Sequence, residues 1–371
     1  LNLNIERDGM SLVFGGYYMD DETSRHTHFD NAEPMLGFPF PSQFDFKHLK
    51  MNLESTAYFA DGTFDINDQT SISLGVRRTN DEFTNQQDNY VSLVIPGVGS
   101  TIAAQTCLRE TTKEYDSTTS RAVLQHSLNG GNNIYASFSE GFKAGGYATY
   151  ECADSYAPEE VTSFEVGFKG NISPNTSMNA ALFRYDYSDF QVLQVVGIQT
   201  VTRNAGDATV NGLEIEALSA LSDSMILNYG LTWLDATYGD FLNTNGLFPQ
   251  LGDQQLEGNT LSNAPKISLN LGINYSTLLQ SGSALTLRAN AAYKSKVYFS
   301  EFNDFSQDKY TIVDLNVIWE NAEETLKTRF FVKNATDEEY VSGYLSAATG
   351  GGRFGTWGRP REVGFEVTRN F

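Results

Sequence analysis

Apolar residues recur at every second position over long stretches of this 371-residue chain. Residues 266–275 show the pattern most clearly, because Ile267, Leu269 and Leu271 alternate there with polar residues or glycine. A period of two puts successive side chains on opposite faces of a β-strand. About fifteen such segments follow one another along the chain, and this pattern predicts an all-β protein.

The connections between the predicted strands alternate between short turns and long excursions. Asp8-Gly9 is a tight-turn dipeptide, whereas long polar loops are expected at residues 20–45, 80–113 and 240–263. A soluble sandwich more often has strands of about 5–6 residues and no such alternation. Short turns on one side and long loops on the other are typical of barrels that cross a membrane. The sequence therefore predicts a transmembrane antiparallel up-and-down β-barrel with about 15 strands.

The hydropathy of the chain agrees with strands rather than helices in a membrane. Mean hydropathy is −0.34, and no apolar run approaches the roughly 18 residues that a membrane-spanning helix needs. Low hydropathy is compatible with a barrel, since only alternate residues of each strand meet lipid. Aromatic residues near the predicted strand ends are expected to form a girdle at the membrane surfaces. These residues are Tyr17, Tyr18, Tyr185, Tyr187, Tyr275 and Trp319.

The net charge excludes one class of partner. The formal charge is −21, from 46 acidic and 25 basic residues. Binding to nucleic acid needs a basic surface, so no nucleic-acid partner is predicted. The acidic excess indicates either a solvated surface or external loops that hold divalent cations or attract cationic ligands.

No catalytic motif is present. The sequence contains no Gly-x-Ser-x-Gly elbow, His-Glu-x-x-His helix or P-loop. We therefore predict no enzyme activity, no catalytic residue and no covalently bound cofactor. His26 and His28, with Asp30 nearby, could form a weak metal site on an external loop, or could be ordinary polar loop residues. Because no cysteine or further ligand has metal-like spacing, no metal site is predicted.

Five motifs, in order over about 240 residues, resemble those of one protein family. They are GFKAGG at the end of segment 135–147, Pro158-Glu159 with SFEVGFK (163–169), NAG (204–206) with GLE (212–214), NAPK (263–266), and VKNATD (332–337) with Tyr340 and GRPR (358–361). Together they resemble the TonB-dependent outer-membrane receptors, and each motif alone would be weak.

The resemblance implies a fold larger than this chain. Receptors of this family have 22 strands around a globular plug. With about 15 strands here, residues 1–371 are expected to be the C-terminal part of the barrel domain, with the plug and roughly seven strands outside the sequence. The absence of an initiator Met and a signal peptide indicates a processed, truncated or fragmentary N-terminus. Such an open sheet is expected not to function alone, because lipid cannot satisfy its two edges.

The resemblance also implies a function. The family takes up scarce nutrients across the outer membrane, powered by the TonB complex, which would act through the part outside this sequence. A ferric siderophore is the expected cargo, with cobalamin, haem or a saccharide as alternatives. A passive porin-like channel, an outer-membrane enzyme and a soluble all-β binding protein are the alternatives of other classes.

The last strand carries a second implication of the resemblance. In this family, a terminal aromatic residue with apolar residues at alternate positions before it is the signal read by the barrel-assembly machinery. Val363, Phe365, Val367 and Phe371 fit that pattern, whereas Arg369 stands where an apolar residue is usual.

The remaining candidate site residues lie in the predicted external loops. Cys107 and Cys152 fall in neighbouring loops on the same side of the barrel, where a disulfide between them would staple the loops. Aromatic loop residues could contact the cargo, although each could also serve loop packing. The candidates are Tyr147, Tyr150, Tyr156 and Phe248.

Overall fold

The computed structural model describes residues 1–31, 42–95, 98–148, 152, 155–196, 199–347 and 352–370. Within them the chain forms β-strands and a single 3-10 turn at Pro249–Leu251. The strands are β1 (Asn2–Arg7), β2 (Met10–Asn31), β3 (Ser42–Asn67), β4 (Thr70–Ile95), β5 (Gly99–Ser127), β6 (Asn133–Lys143), β7 (Gly146–Tyr147), β8 (Ser155–Tyr156), β9 (Glu159–Ser173), β10 (Thr176–Ser188), β11 (Gln191–Val196), β12 (Gln199–Asn204), β13 (Ala208–Ser222), β14 (Met225–Tyr238), β15 (Leu242–Thr244), β16 (Asp253–Gln255), β17 (Ile267–Leu278), β18 (Ala284–Lys294), β19 (Val297–Tyr298), β20 (Ser306–Gln307), β21 (Tyr310–Glu320), β22 (Leu326–Lys333), β23 (Val341–Ala347), β24 (Gly352–Trp357) and β25 (Glu362–Arg369). None of the described residues belongs to a helix with the length and apolar character that a membrane crossing requires.

Fifteen of these strands form one sheet in which each strand pairs with the next long strand of the chain. The order is β1-β2-β3-β4-β5-β6-β9-β10-β13-β14-β17-β18-β21-β22-β25. All of the pairings are antiparallel, so the sheet runs up and down without a crossover. This arrangement confirms the predicted fold class and strand number.

Ten short strands form five small hairpins in the connections between the long strands. The pairs are β7-β8, β11-β12, β15-β16, β19-β20 and β23-β24. Each hairpin lies in a connection that follows a strand running away from the short turns, so all five gather at the opposite end of the sheet. We call that end the loop end, and the other the turn end.

Two of the three predictions of a long loop are wrong. Residues 20–45 and 80–113 lie largely in strands, because β2 extends to Asn31, β3 begins at Ser42, β4 reaches Ile95 and β5 begins at Gly99. Ladder hydrogen bonds join backbone groups and do not depend on side-chain polarity. The loss of apolar alternation therefore marks where the strands leave the apolar zone, and the strands themselves continue.

Two strands end for a local reason. Strand β10 ends at Ser188, and strand β22 ends at Lys333. Asp189 and Asn334 follow these ends with φ of 53° and 46°. Aspartate and asparagine tolerate this left-handed conformation better than most residues do, and it takes the chain out of the strand.

One face of the sheet carries exposed apolar side chains. Leu74 and Val76 are 46% and 49% exposed, and the apolar residues of the last strand, Val363, Phe365 and Val367, are 56–67% exposed. Phe371, the fourth residue of the expected assembly signal, lies outside the described residues. An apolar surface this extensive is unusual on a soluble protein and marks contact with lipid or another molecule. We call it the apolar face.

The opposite face, which we call the polar face, carries charged and hydrogen-bonding side chains. On it Arg121 of β5 reaches across β4 and donates two hydrogen bonds of 2.7 Å to the carboxylate of Asp61 on β3. Gly75 lies beneath this pair, where an added Cβ would come within 2.4 Å of the Asp61 carboxylate. Glycine therefore makes room for a bidentate ion pair that links three strands.

The expected aromatic girdle is only partly present. By strand alternation, Tyr18, Tyr275 and Trp319 lie on the apolar face. Tyr185 and Tyr187 instead share the polar face with Glu165, because they follow Phe183 at two-residue steps and Phe183 pairs with Glu165. Nearness to a strand end does not determine which face a side chain occupies, whereas alternation does.

A disulfide ties the loop end to the sheet. The sulfur atoms of Cys107, on β5, and Cys152 lie 2.13 Å apart, and Cys107 is buried. Cys152 follows β7, so the bridge fastens the connection between β7 and β8 to the outer part of β5.

The first prediction concerns Gly212, which lies beneath the ring of Phe183. A Cβ on Gly212 would lie 2.1 Å from the Phe183 ring, whereas the nearest atom to a Cβ on Gly230 of the adjacent strand is 3.8 Å away. Gly212→Val should therefore lower the free energy of unfolding by about 1–3 kcal/mol through overpacking. Gly230→Val, also on the polar face, is the matched control and should change it by less. Urea unfolding of the detergent-solubilised protein measures both, and equal losses would contradict this account.

The disulfide gives a second prediction. Its ends are separated by 45 residues, for which loop-closure entropy gives a stabilisation of about 4 kcal/mol. The double variant Cys107→Ser/Cys152→Ser should keep the sheet but become more sensitive to protease between β7 and β8. Limited proteolysis followed by mass spectrometry measures this change. Two free thiols in wild-type protein prepared without reductant would refute the bridge.

Candidate functional site

A cavity of about 780 Å³ opens on the polar face near the loop end. Its floor comes from β10, β13 and β14, and the hairpin β11-β12 and residues 299–304 form further walls. Cavities of roughly 300–1,000 Å³ are typical of sites for small molecules. The sheet therefore presents a space of suitable size where the barrel strands meet their outer loops.

Aromatic side chains line one side of the cavity. Phe183 and Tyr185 stack with ring centroids 4.8 Å apart, and Tyr187 meets Phe190 edge-on at 5.3 Å. Phe190 in turn lies 6.2 Å from Tyr238. Tyr187 and Phe190 pack against a buried cluster that also lines the cavity and includes Val192, Ala236, Tyr238 and Leu261. The aromatic wall is thus held by packing before any ligand arrives.

Polar and acidic groups line the other side. Asp304 accepts hydrogen bonds from Ser300 Oγ at 2.6 Å and Asn245 Nδ2 at 3.0 Å, and it also pairs with Arg353. Asn243 Nδ2 donates to Glu301 Oε1 at 3.1 Å. The acidic oxygens are therefore fixed by amide and hydroxyl donors.

The charge balance of the lining is negative. Glu214, Glu301 and Asp304 contribute carboxylates, and the described lining residues include no lysine, arginine or histidine. Arg353 lies beside the cavity but is paired with Asp304. The segments outside the described residues contain no lysine, arginine or histidine in their sequence. The cavity thus offers aromatic surface and hydrogen-bond acceptors with little free positive charge.

Burial shifts the pKa of Glu301 upward. Desolvation raises the pKa of its carboxyl group, and the charge of Asp304 acts in the same direction against a backbone hydrogen bond that lowers it. A raised pKa favours the neutral acid, which can donate a hydrogen bond as well as accept one.

None of the described aromatic residues predicted from the sequence as cargo contacts is among the residues that line the cavity. Tyr147 and Tyr156 come together in the small hairpin β7-β8, where the buried ring of Tyr147 packs 5.6 Å from Phe83. Phe248 lies 5.5 Å from the Arg353 guanidinium, next to the cavity. Tyr150 lies outside the described residues.

The sequence did not lead to a site at the cavity, and Tyr185 and Tyr187 were assigned to the girdle, although a signal for the site was present. On β10 the apolar face carries Leu182, which is 55% exposed, so Phe183 and Tyr185 fall on the polar face. Large aromatic residues at positions that should face water are anomalous in a barrel strand. Such an anomaly could have identified the aromatic wall of the cavity. Glu301 and Asp304 carry no comparable signal, because their position depends on loop folding.

The sequence model of the family described as "TonB dependent receptor-like, beta-barrel" matches residues 1–335. Among curated proteins, the chain is 26% identical to the "Probable TonB-dependent siderophore receptor PiuA" of Acinetobacter baumannii, over 78% of this chain and 38% of that protein. It is also 26% identical to the "Ferrichrome outer membrane transporter/phage receptor" of Escherichia coli, over 68% of this chain and 32% of that protein. The chain thus spans about a third of the length of these relatives.

Solved structures agree on the fold. The ferric yersiniabactin uptake receptor FyuA from Yersinia pestis superposes with a TM-score of 0.78 at 18% identity, over 99% of this chain and 52% of that one. The siderophore receptor PiuA from Acinetobacter baumannii gives 0.71 at 18% identity, over 99% and 54%. The family match over most of the chain, together with this fold, shows that the chain belongs to the TonB-dependent receptors and forms part of their β-barrel.

Proposed function

We propose that the protein containing this chain is an outer-membrane active transporter that takes up a ferric siderophore with energy from the TonB complex. The cavity on the polar face is the observation that carries this proposal. It combines the size of a small-molecule site with a rigid aromatic wall, on the face that lines the lumen in a barrel of this family. Relatives named as siderophore, ferrichrome and ferrioxamine B receptors support the same class of cargo.

The aromatic wall suits the organic part of such a cargo. Siderophores surround iron with a flexible organic shell, which presents apolar and amide surface to a receptor. Phe183, Tyr185 and Tyr238 offer flat apolar area and tyrosine hydroxyls at low conformational cost. Binding would therefore recognise the outer shell of the complex, and no residue needs to contact iron.

The charges select among siderophores. Three singly charged hydroxamates neutralise Fe(III), whereas three doubly charged catecholates leave an excess of negative charge on the complex. The carboxylate of Glu214 would repel such an anion in a partly desolvated cavity, where Arg353 is engaged with Asp304. We therefore assign the cargo to ferric complexes without net negative charge, of the hydroxamate type.

The partners of the protein follow from the same proposal. The apolar face would contact outer-membrane lipid, and the strand β25, with Val363, Phe365 and Val367 on that face, would be read by the barrel-assembly machinery. In the order of the sheet, β1 and β25 occupy the two edges. We propose that further strands of the same barrel cover these edges in the working protein, because lipid offers their backbone groups no partner. Transport would leave the cargo chemically unchanged, so no catalytic residue is assigned.

Uptake of radiolabelled iron tests the function and the cargo class together. Cells that depend on this receptor should take up iron from a ferric trihydroxamate at least about tenfold faster than from a ferric triscatecholate, a difference of about 1.4 kcal/mol. Uptake should stop when TonB is deleted. Uptake that continues without TonB would indicate a passive channel, and wild-type preference for the catecholate would overturn the assigned charge.

Two charge variants sharpen this test. Asp304→Asn releases Arg353 beside the cavity and should narrow the preference for the hydroxamate complex. Glu366→Gln is the matched control, because it removes the acidic partner of Arg329, with nitrogen and oxygen 3.6 Å apart, on the polar face away from the cavity. The control should leave the preference unchanged, and equal effects of the two variants would argue against the cavity as the cargo site.

A further inference from the structure

Two histidines and an aspartate meet on the outer part of the β2-β3 hairpin. The sequence placed His26 and His28 on a loop near Asp30, but both lie in strand β2. His28 pairs directly with Asp45 of β3, and His26 lies one pleat away on the same face. The ladder thus brings three potential metal ligands together from two strands, and Asp45, distant in sequence, supplies the carboxylate.

The three side chains already contact each other. Nε2 of His26 lies 2.6 Å, and Nδ1 of His28 3.0 Å, from the same Oδ1 atom of Asp45. All three potential ligand atoms lie within 4.8 Å of one another. Asp45 is buried, whereas the side chains of His26 and His28 are 51% and 39% exposed. The carboxylate therefore forms the base of the cluster and the imidazoles face solvent.

The electrostatics favour a cation at this place. The buried Asp45 carboxylate is contacted by two imidazole nitrogens, and buried charges in proteins are commonly paired or bound to a metal ion. Lys47 lies across from His26 on the same face, and its ammonium is 4.8 Å from the centre of the Tyr90 ring. The Lys47 ammonium is thus held over an aromatic ring on the neighbouring strand β4.

The spacing also fits a metal. Zinc holds imidazole nitrogen at about 2.0–2.1 Å and carboxylate oxygen at about 2.0–2.2 Å, so ligand atoms of a tetrahedral site are about 3.4 Å apart. The observed nitrogen–oxygen distances of 2.6 and 3.0 Å need to widen by less than an ångström, which side-chain rotation supplies. Two imidazoles with one carboxylate suit zinc, copper(II) or nickel, whereas calcium and magnesium prefer oxygen ligands alone.

We propose that His26, His28 and Asp45 bind one divalent transition-metal ion of the zinc type, which clamps β2 to β3 outside the membrane. His26 lies eight residues beyond Tyr18 on the same face, about 26 Å along the strand toward the loop end, and so beyond the girdle position of Tyr18. The site is on the opposite face of the sheet from the cargo cavity and is independent of the cargo. A water molecule or an external ligand completes the coordination, because three protein ligands leave a position open.

Metal titration of the untagged, detergent-solubilised protein tests the proposal. After treatment with a chelator, competition with a chromophoric zinc indicator should show one Zn²⁺ bound per chain, undisturbed by excess Mg²⁺ or Ca²⁺. His26→Gln, His28→Gln and Asp45→Asn should each weaken zinc binding about tenfold or more. His126→Gln is the control, because His126 bonds Thr70 at the turn end of the sheet and should leave binding unchanged. Unchanged zinc binding in the His26→Gln/His28→Gln double variant would overturn the site.

A second measurement keeps the test decisive if a variant fails to fold. Cu²⁺ bound to the wild-type protein should show hyperfine coupling to two imidazole nitrogens by electron paramagnetic resonance. Coupling to none, or equal displacement of Cu²⁺ by Mg²⁺, would reject the proposed ligand set. Heat-modifiable mobility on gels confirms for each variant that the barrel is folded.

Discussion

Backbone hydrogen bonding between neighbouring strands governs the rest of this molecule, because the bilayer interior offers peptide groups no other partner. Thirteen of the fifteen sheet strands have a neighbour on both sides, which satisfies their N–H and C=O groups within the sheet. Once the backbone is satisfied, side chains are free to alternate between lipid on one face and water on the other. The low mean hydropathy of −0.34 is a consequence, since only half of each strand must be apolar.

The same ladder continues to the loop end, where both candidate sites lie. Strands β2 to β5 continue as polar hairpins, which is how His26 of β2 meets Asp45 of β3. On the strands that follow, aromatic residues occupy the polar face and create the cavity wall. The short hairpins lie in the connections at this end, and the disulfide between Cys107 and Cys152 fastens one of these connections. The two candidate sites are therefore products of strand register and lie on opposite faces.

The recurrence of apolar residues at every second position was sufficient to predict the fold class, the strand number and the apolar face, because all three depend on local alternation. The same pattern underestimated the length of the strands within residues 20–45, because the strand pairing continues there without apolar alternation. The prediction also assigned Tyr185 and Tyr187 to the aromatic girdle, because it considered only their nearness to a strand end. Their odd or even position along the strand, which decides the face of the sheet, was not considered. Glu301 and Asp304 could not be found at all, because their position depends on how two loops pack together.

The central claim is that alternate residues of each strand face lipid and lumen. Spin labels on single cysteines test it directly on β4, at Ser73→Cys, Leu74→Cys, Val76→Cys and Thr79→Cys in lipid-reconstituted protein with the native disulfide intact. Labels at positions 74 and 76 should collide mainly with oxygen, which concentrates in the bilayer, and labels at 73 and 79 mainly with a water-soluble nickel chelate. Equal accessibility at all four positions, or the reverse alternation, would contradict the account.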